Sequence, residues 1–300
     1  MGLTDRTVVI LRHPERAVRL AEALRAAGMT PCALPLTDTA LPPDPAAVVQ
    51  ELECLGDGGI DRLVVTSANA VRALELIARM SGASLSGQLS SGRARIAAVG
   101  VSTAALLADL GIAVDVIPAR QSAAGLLETL GAGRGAVVLL PQADLAPDDL
   151  AEGLAASGWV VRRVQAYRTV PYPAAPELAV PMVPERGVQP PRLDPSDVVA
   201  LAASGVRFAV VFLAPSAVRQ FHGRVAVPRG ILTVAIGDTT AEALRQAGHE
   251  PTVAADPSPA GIAEAVQRAF GRASAEPQVD VIRQSQQGRT VNAPSNGDQP

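Results

Sequence analysis

The chain has 300 residues, which is enough for two domains of ordinary size, each with its own core. Its formal net charge of −3 excludes the strong positive field by which a protein recruits nucleic acid. All 26 basic residues are arginine, which excludes lysine Schiff-base chemistry and a Walker-type phosphate-binding lysine.

Targeting and redox features predict a cytoplasmic protein without a membrane partner. No apolar run reaches the length of about 18 residues that a transmembrane helix requires. The N-terminal segment carries charges where a secretory signal peptide has an apolar core. Cys32 and Cys54 are isolated from each other and form no disulfide framework. His13, His222 and His249 lack ligand spacing, so we expect them on the surface or at helix ends and expect no catalytic metal.

Taken in chain order, short β-like runs alternate with helical segments rich in alanine and leucine. Strands are predicted at residues 7–11, 62–66, 95–99, 114–117, 136–140, 207–213, 231–235 and 252–254. Helices are predicted after the first five of these strands, at residues 15–27, 70–80, 102–110, 123–130 and 147–156, and a helical pattern also follows each of the last three strands. The strands show no polar alternation, so we predict an α/β fold whose parallel sheets are covered by helices on both faces.

Two segments interrupt this alternation. Residues 171–195 are rich in proline and are predicted to form an extended, partly ordered connection. Residues 271–300 are dominated by polar residues, glycine and proline without an apolar period. This composition predicts a disordered tail.

The chain also repeats itself, which predicts a duplicated architecture. Three pairs of segments resemble each other in the same order: VVIL…LAEALRAAG with VVLL…LAEGLAASG, TSANAVRAL with LAPSAVRQF, and AVGVSTAALLADLG with AIGDTTAEALRQAG. A tandem duplication predicts two similar α/β lobes with a cleft between them. The repeat leaves open whether each lobe is one contiguous copy or whether the first βα unit is exchanged between copies.

Two of the repeated turns join a glycine to a pair of hydroxyl side chains at the start of a helix. In parallel α/β sheets such turns lie at the carboxyl ends of strands, where ligands bind. One interpretation is that the hydroxyls are N-caps of the helices. The other is that hydroxyls, backbone N–H groups and the helix dipole together bind an anionic ligand group, and the two roles are compatible. The residues concerned are Ser102 and Thr103 after Gly100, and Thr239 and Thr240 after Gly237.

A second pair of turns has the same character. Thr66, Ser67 and Asn69 follow one predicted strand, and Ser216 lies in the corresponding turn of the second copy. Capping is one interpretation of each turn. The number of polar side chains in TSANAV exceeds what one cap requires, so ligand binding is the alternative.

Two further side chains stand at predicted strand ends. Arg12 ends the first strand, where a guanidinium is either solvated or binds a carboxylate bidentately. Tyr167 ends the strand before the proline-rich segment, where it either packs at the lobe junction or offers a neutral phenol to the cleft. The motifs GxSxG, HExxH and CxxC are absent from the sequence, so the residues alone predict a cleft protein without an obvious nucleophile.

In their order and spacing, these motifs resemble the uroporphyrinogen-III synthase family. The resemblance runs from the strand that ends in Arg12, through TSANAV, AVGVSTAALLADLG and AYRT, to LAPSAV and AIGDTTAEALRQAGHEP. It implies two flavodoxin-like lobes with parallel sheets, joined by a two-stranded connection and separated by a cleft. It further implies that residues 1–36 plus 171–270 form lobe one and that residues 37–166 form lobe two.

The resemblance implies a reaction as well as a fold. The family cyclises hydroxymethylbilane, a linear polycarboxylate tetrapyrrole, to uroporphyrinogen III in porphyrin and heme biosynthesis. Water is lost and ring D is inverted through a spiro intermediate, without a metal or an organic cofactor. The chain is therefore expected to be a cyclising hydro-lyase with a small-molecule substrate and no nucleic acid partner. We expect a cytoplasmic monomer that receives its substrate from hydroxymethylbilane synthase.

The resemblance also implies site residues. Tyr167 matches the family tyrosine proposed to assist departure of the hydroxyl group. Substrate contacts are implied for Arg12, Thr66, Ser67, Asn69, Ser102, Thr103, Ser216, Thr239 and Thr240. The sequence departs from the family pattern at Ala214, where serine is common, at His13, where proline is usual, and at residues 140–147, where a turn often carries arginine and glycine. These departures affect the expected carboxylate contacts more than the expected reaction.

Two other functions fit a two-lobed α/β protein. A sensor or carrier closes on a small anionic ligand without reacting it, and the same fold permits this. Tyr167 at the cleft is the feature that favours catalysis over binding alone. A synthase-like regulatory domain carries a DNA-binding appendage, and the polar C-terminal segment is too short for one.

Overall fold

A computed structural model describes residues 6–225 and 231–275 of the chain. Residues 1–5 and 226–230 lie outside the described residues, as does the predicted tail from residue 276 onwards. Among the described helices, none is long and apolar enough to cross a membrane.

The described strands form two five-stranded sheets. The first is parallel throughout and contains, from edge to edge, β10 (Thr252–Val253), β9 (Leu232–Ala235), β8 (Phe208–Phe212), β1 (Thr7–Ile10) and β2 (Thr30–Ala33). The second contains β3 (Thr37–Ala40), β7 (Val160–Pro171), β6 (Val137–Ala143), β4 (Arg62–Val65) and β5 (Arg95–Ala98). Its strands are parallel except that β3 runs antiparallel to β7. Lobe one and lobe two are the units built on the first and second sheet.

Helices cover both faces of each sheet, which explains why the strands lack polar alternation. In lobe one, one face carries α1 (Val18–Ala26) and α11 (Pro259–Ala275), and the other carries α8 (Pro195–Ala203), α9 (Pro215–Arg224) and α10 (Asp238–Gln246). In lobe two, one face carries α2 (Ala46–Gly56), α3 (Ala68–Met80), α4 (Leu85–Gly92) and α5 (Val101–Asp109), and the other carries α6 (Ala123–Leu130) and α7 (Asp149–Ala156). Val8 and Ile10 of β1 pack in one core and Val9 packs in the other, so the strand is buried from both sides.

The two sheets repeat the same arrangement, as the duplicated sequence predicts. In lobe one β1 and β2 occupy the places that β6 and β7 occupy in lobe two, and β8 and β9 match β4 and β5. However, β1 pairs with β8 of the second copy, with Thr7 opposite Phe208. The first βα unit is therefore exchanged between the copies. The residue boundaries of the lobes stay a prediction.

The connection between the lobes consists of two paired strands. β3 follows lobe-one strand β2, and β7 leads from lobe two into the proline-rich segment, so the chain crosses twice at this pair. The proline-rich segment then lies against strands of both lobes, since Ala179 bridges to Ala40 and Arg192 bridges to Ala33. The segment predicted as an extended connection is thus held by backbone contacts on either side.

Some elements differ from the predicted ones. The strand predicted at residues 114–117 is not formed, and Val116 makes an isolated bridge to Ala97. β2, β3, α2, α4 and α8 have no counterpart among the predicted elements. β2 contains Pro31, which argues against a strand, but β2 is an edge strand, where proline is tolerated. α4 ends in Gly92, whose missing side chain permits close packing, because a Cβ there would lie 1.6 Å from the Leu55 carbonyl oxygen.

The repeat predicts a stabilising substitution at the start of α9. Ser67 is the N-cap of α3, and its side chain accepts a hydrogen bond from the Ala70 N–H. Ala214 is the equivalent N-cap of α9 and has the same extended backbone, but a methyl side chain cannot cap. Ala214→Ser should therefore raise the free energy of unfolding by about 1 kcal/mol, measured by urea denaturation.

Ala155→Ser is the control for this prediction. Ala155 is exposed inside α7, where serine caps nothing and slightly lowers helix propensity. An Ala214→Ser variant that is no more stable than the wild type would contradict the equivalence of the two helix starts.

Candidate active site

A pocket of about 380 Å³ lies where the two lobes meet the connecting strands. It is located beyond the carboxyl ends of β1 and β4, the edge at which parallel α/β sheets bind ligands. The lining comprises Arg12, His13 and Arg16 from lobe one, Ser67, Ala68, Asn69 and Arg72 from lobe two, and Thr37, Asp38, Thr39, Thr169 and Met182 from the connection and the segment after it.

Tyr167 lies beside this pocket, and its hydroxyl group forms a hydrogen bond with the Ser67 hydroxyl group. β7 carries the tyrosine, and its half-buried ring packs against the core of lobe two. Tyr167 Oη and Ser67 Oγ are 3.0 Å apart. Ser67 Oγ also accepts the Ala70 N–H at 3.1 Å, so the predicted capping role of Ser67 is confirmed. The tyrosine ring is therefore packed, while its hydroxyl group reaches the polar side chains of the pocket.

Asn69 links lobe two to the connection and orients an arginine. Its Nδ2 donates to Thr39 Oγ1 of β3 at 3.0 Å. Its Oδ1 accepts a hydrogen bond from Arg72 Nη1 at 3.1 Å. Since the two residues are three positions apart on α3, they share one face of the helix. The amide thus places the Arg72 guanidinium at the pocket.

Three arginines from both lobes bring positive charge to this pocket. Arg12 and Arg16 follow β1, and Arg72 belongs to α3. Within the described part of the chain, none of the three forms a salt bridge. Burial, and then the charge of Arg16, lower the pKa of Arg72. Arg12 keeps solvent contact, yet its concave surroundings remove part of its hydration and lower its pKa, and Arg16 lowers that pKa further.

A second pocket, of about 350 Å³, extends this basic surface along lobe one. It shares Arg12 and Arg16 with the first pocket and reaches Leu213 after β8. Glu185 of the proline-rich segment lies in its lining and pairs with Arg19, with 3.5 Å between Oε1 and Nη2. The two pockets together present an excess of guanidinium groups along the carboxyl ends of the first sheet.

Asp38 is the carboxylate of the first pocket, and backbone groups already bind its oxygens. Oδ1 accepts the Thr39 N–H at 2.8 Å, and Oδ2 accepts the Ala174 N–H at 3.1 Å. His13 Nε2 lies 2.9 Å from the Thr37 carbonyl oxygen and 3.7 Å from Asp38 Oδ1. His13 lies at a helix end, as expected, because it is the N-cap of the short 3-10 helix Pro14–Arg16, and its largely buried ring joins lobe one to β3. Among the described residues, no three histidine, cysteine, aspartate or glutamate side chains are placed to hold a metal ion.

The two glycine turns differ from their predicted form. Gly100 and Gly237 are themselves the N-caps of α5 and α10, and no hydroxyl side chain of either turn caps its helix. The interpretation that the hydroxyls cap these helices is therefore wrong. In each turn the second hydroxyl side chain is buried and the first is exposed. The buried side chains are Thr103 and Thr240, with 3% and 1% exposure, and the exposed ones are Ser102 and Thr239.

The structure brings together only part of the predicted site. Arg12, Ser67 and Asn69 line the first pocket, and Tyr167 contacts Ser67. Thr66 is half-buried directly after β4, next to Ser67. The described lining of that pocket does not include Ser102, Thr103, Ser216, Thr239 or Thr240. The assignment of all these residues to a substrate stays a prediction.

Sequence analysis missed Arg16 and Arg72. Arg72 carries a local signal, because it lies one helical turn beyond Asn69 on α3, whereas Arg12 lies outside any helix and Arg16 follows it by four positions without helical spacing.

Comparisons with known proteins give the family and the fold. The chain matches the family model of uroporphyrinogen-III synthase HemD over residues 18–264. A comparison with curated proteins finds no match. The structure is similar to a mutant uroporphyrinogen III synthase from Thermus thermophilus, at 22% identity and a TM-score of 0.58, over 89% of this chain and 99% of that chain. It is also similar to uroporphyrinogen-III synthetase from Helicobacter pylori, at 17% identity and a TM-score of 0.53, over 90% and 100% of the two chains. These similarities confirm the predicted fold.

Because three arginines line the first pocket, we predict that it binds polycarboxylates by electrostatic attraction. With citrate as the probe, isothermal titration calorimetry should detect binding that weakens as ionic strength rises. Arg72→Gln should weaken citrate binding about tenfold, because a hydrogen bond to a charged group contributes about 1.5–3 kcal/mol.

Arg79→Gln is the matched control on the same helix. Arg79 is exposed and pairs with Glu75 outside the pocket lining, so this variant should bind citrate as the wild type does. Equal citrate affinities for the wild type and Arg72→Gln would contradict an anion site at this pocket.

Proposed function

This chain belongs to the uroporphyrinogen-III synthase family, and we propose that it cyclises hydroxymethylbilane to uroporphyrinogen III, with loss of water and inversion of ring D. One observation carries the proposal beyond family membership. A single pocket combines arginines from both lobes, which form no salt bridge within the described residues, with a tyrosine hydroxyl group at its edge. The first feature suits a polycarboxylate substrate, and the second suits a reaction that begins with protonation of a leaving group.

The charge of the pocket matches the substrate class. Hydroxymethylbilane carries carboxylates around a flexible chain of pyrroles, and guanidinium groups bind carboxylates in bidentate geometry. Arg16 lowers the pKa of both Arg12 and Arg72, which means that the charge of Arg16 opposes the charges of the other two arginines. A bound carboxylate relieves this repulsion, so the pocket favours an anionic ligand over a neutral one.

The reaction requires a proton donor and a site that holds the substrate in its reactive conformation. It requires no nucleophile from the protein. Tyr167 donates its proton to the hydroxymethyl oxygen, the carbon–oxygen bond breaks with its electron pair on oxygen, and water leaves. A pyrrole nitrogen lone pair stabilises the resulting cation, and a carbon of ring D attacks it. After the spiro intermediate has rearranged, the ring carbon that formed the new bond releases a proton, which restores Tyr167.

Both lobes are needed to hold the reactive conformation. A linear tetrapyrrole has many rotatable bonds, and bringing its two ends together is the principal barrier that a protein can lower by positioning. Arg12 and Arg16 hold one part of the substrate from lobe one, and Arg72 and Asn69 hold another from lobe two. In this proposal the exposed residues Ser102, Ser216 and Thr239, together with Thr66, contact the substrate. Thr103 and Thr240 are buried beneath the same turns and stabilise them by packing.

Further properties of the enzyme are proposed on chemical grounds. The reaction removes water while closing a ring, so we propose a hydro-lyase. Free hydroxymethylbilane closes spontaneously to the uninverted type-I ring, and a direct transfer from hydroxymethylbilane synthase avoids this loss. We propose a cytoplasmic monomer that receives its substrate in this way. A sensor or carrier, the alternative function, has no use for a proton donor at the pocket, and family membership favours the synthase.

The proposed function predicts the identity of the product isomer. The wild-type protein, supplied with freshly prepared hydroxymethylbilane, should yield uroporphyrinogen III in proportion to enzyme concentration, resolved from the type-I isomer by chromatography. An incubation without protein measures spontaneous closure. Type-I product alone, at every enzyme concentration, would refute the proposed activity.

A further inference from the structure

The hydroxyl group of Ser67 has a proton that the helix cap does not use. Ser67 Oγ accepts the Ala70 N–H at 3.1 Å and lies 3.0 Å from Tyr167 Oη. A serine hydroxyl has a single proton to donate, and its oxygen accepts at up to two positions. Capping of α3 occupies one accepting position and leaves the proton available.

Tyr167 Oη is the natural acceptor for this proton. Among the contacts of the described residues, Ser67 Oγ has Tyr167 Oη as its only acceptor within hydrogen-bonding distance. If Tyr167 donated to Ser67 instead, the serine proton would be left without a described partner in a half-buried position. If Ser67 donates instead, the proton without a described partner is that of Tyr167, and it is free to point toward the pocket.

The duplicated lobe shows that the fold does not require this serine as a cap. Ala214 is the N-cap of α9 at the equivalent position, with φ −164° and ψ 154°, beside φ −151° and ψ 151° for Ser67. Lobe one therefore builds the same helix start around a methyl side chain. The helix start therefore forms without a hydroxyl group at this position, which leaves the Ser67 hydroxyl available for a second role.

We propose that Ser67 is a positioning residue, which donates its hydroxyl proton to Tyr167 and thereby directs the Tyr167 proton toward the substrate. The proposal rests on the proposed function, in which Tyr167 protonates the leaving hydroxyl group. The proton leaves Tyr167 Oη, the carbon–oxygen bond breaks with its electron pair on oxygen, and water departs. Ser67 keeps its own proton throughout, and its hydrogen bond stabilises the phenolate that remains.

Three substitutions separate positioning from capping. Ser67→Thr keeps both the cap and the proton, so kcat should stay within about twofold of the wild type. Ser67→Asp caps a helix as well as serine does but has no proton to donate, so kcat should fall about tenfold or more. Ser67→Ala loses both features and should show a similar fall in kcat. Urea denaturation should find Ser67→Asp as stable as the wild type.

The kinetics are measured at saturating substrate, because the added charge of Ser67→Asp opposes a polycarboxylate and raises KM. A wild-type kcat for Ser67→Asp would overturn the proposal, and so would a kcat for Ser67→Thr as low as that of Ser67→Ala. In a Tyr167→Phe background, Ser67→Ala should cause no further loss of kcat, since the residue acts through the tyrosine. Fully additive losses would also overturn it.

The proton arrangement can be observed without turnover. Neutron diffraction from crystals of the deuterated wild-type protein should locate the Ser67 deuterium between the two oxygens and the Tyr167 deuterium toward the pocket. The reverse orientation would overturn the proposal. Formation of type-III product by the wild type reports on the proposed function separately, so failure of one is distinguishable from failure of the other.

Discussion

The parallel pairing of β1 with β8 is the interaction on which the rest of the structure depends. It joins the first strand of the chain to a strand of the second repeat copy, with Thr7 opposite Phe208. Since β1 and β2 lie in lobe one and the strands that follow build lobe two, the chain must cross between the lobes at β3 and return at β7. A contiguous copy in each lobe would need only one crossing. The exchange therefore produces the two-stranded connection, and the two strands satisfy each other's backbone hydrogen bonds.

The double crossing explains why the candidate site is located at the connection. β7 carries Tyr167, and β3 carries Thr39, which accepts a hydrogen bond from Asn69 of lobe two. From the other side, His13 of lobe one contacts the backbone of Thr37. Both lobes are thus tied to the same two strands, and arginines from both are held beside one pocket without salt-bridge partners among the described residues. This charge arrangement is unfavourable in the free protein, and a polycarboxylate ligand that spans the pocket relieves it.

The parts of the fold and site that could be predicted from the sequence depend on local patterns. Strand runs such as residues 62–66 and the cap in TSANAV are readable because burial on both faces and Ser67 capping each involve a few neighbouring residues. The exchange of β1 could not be read from the repeat, because both copies have the same apolar pattern and would pair equally well. The burial of Thr240 depends on packing beneath α10, and the meeting of Arg72 with Arg12 and Arg16 at one pocket depends on how the two lobes are joined. Neither of these tertiary contacts produces a pattern among neighbouring residues of the sequence.

The central claim is that the pocket shared by the two lobes is the active site, and a crystal structure of the full-length protein with bound uroporphyrinogen III tests it most directly. The account predicts that carboxylates of the macrocycle lie within hydrogen-bonding distance of Arg12, Arg16 or Arg72. It also predicts that the macrocycle contacts Tyr167 Oη. A macrocycle bound elsewhere on the protein, with Arg72 and Tyr167 both out of contact, would contradict the account.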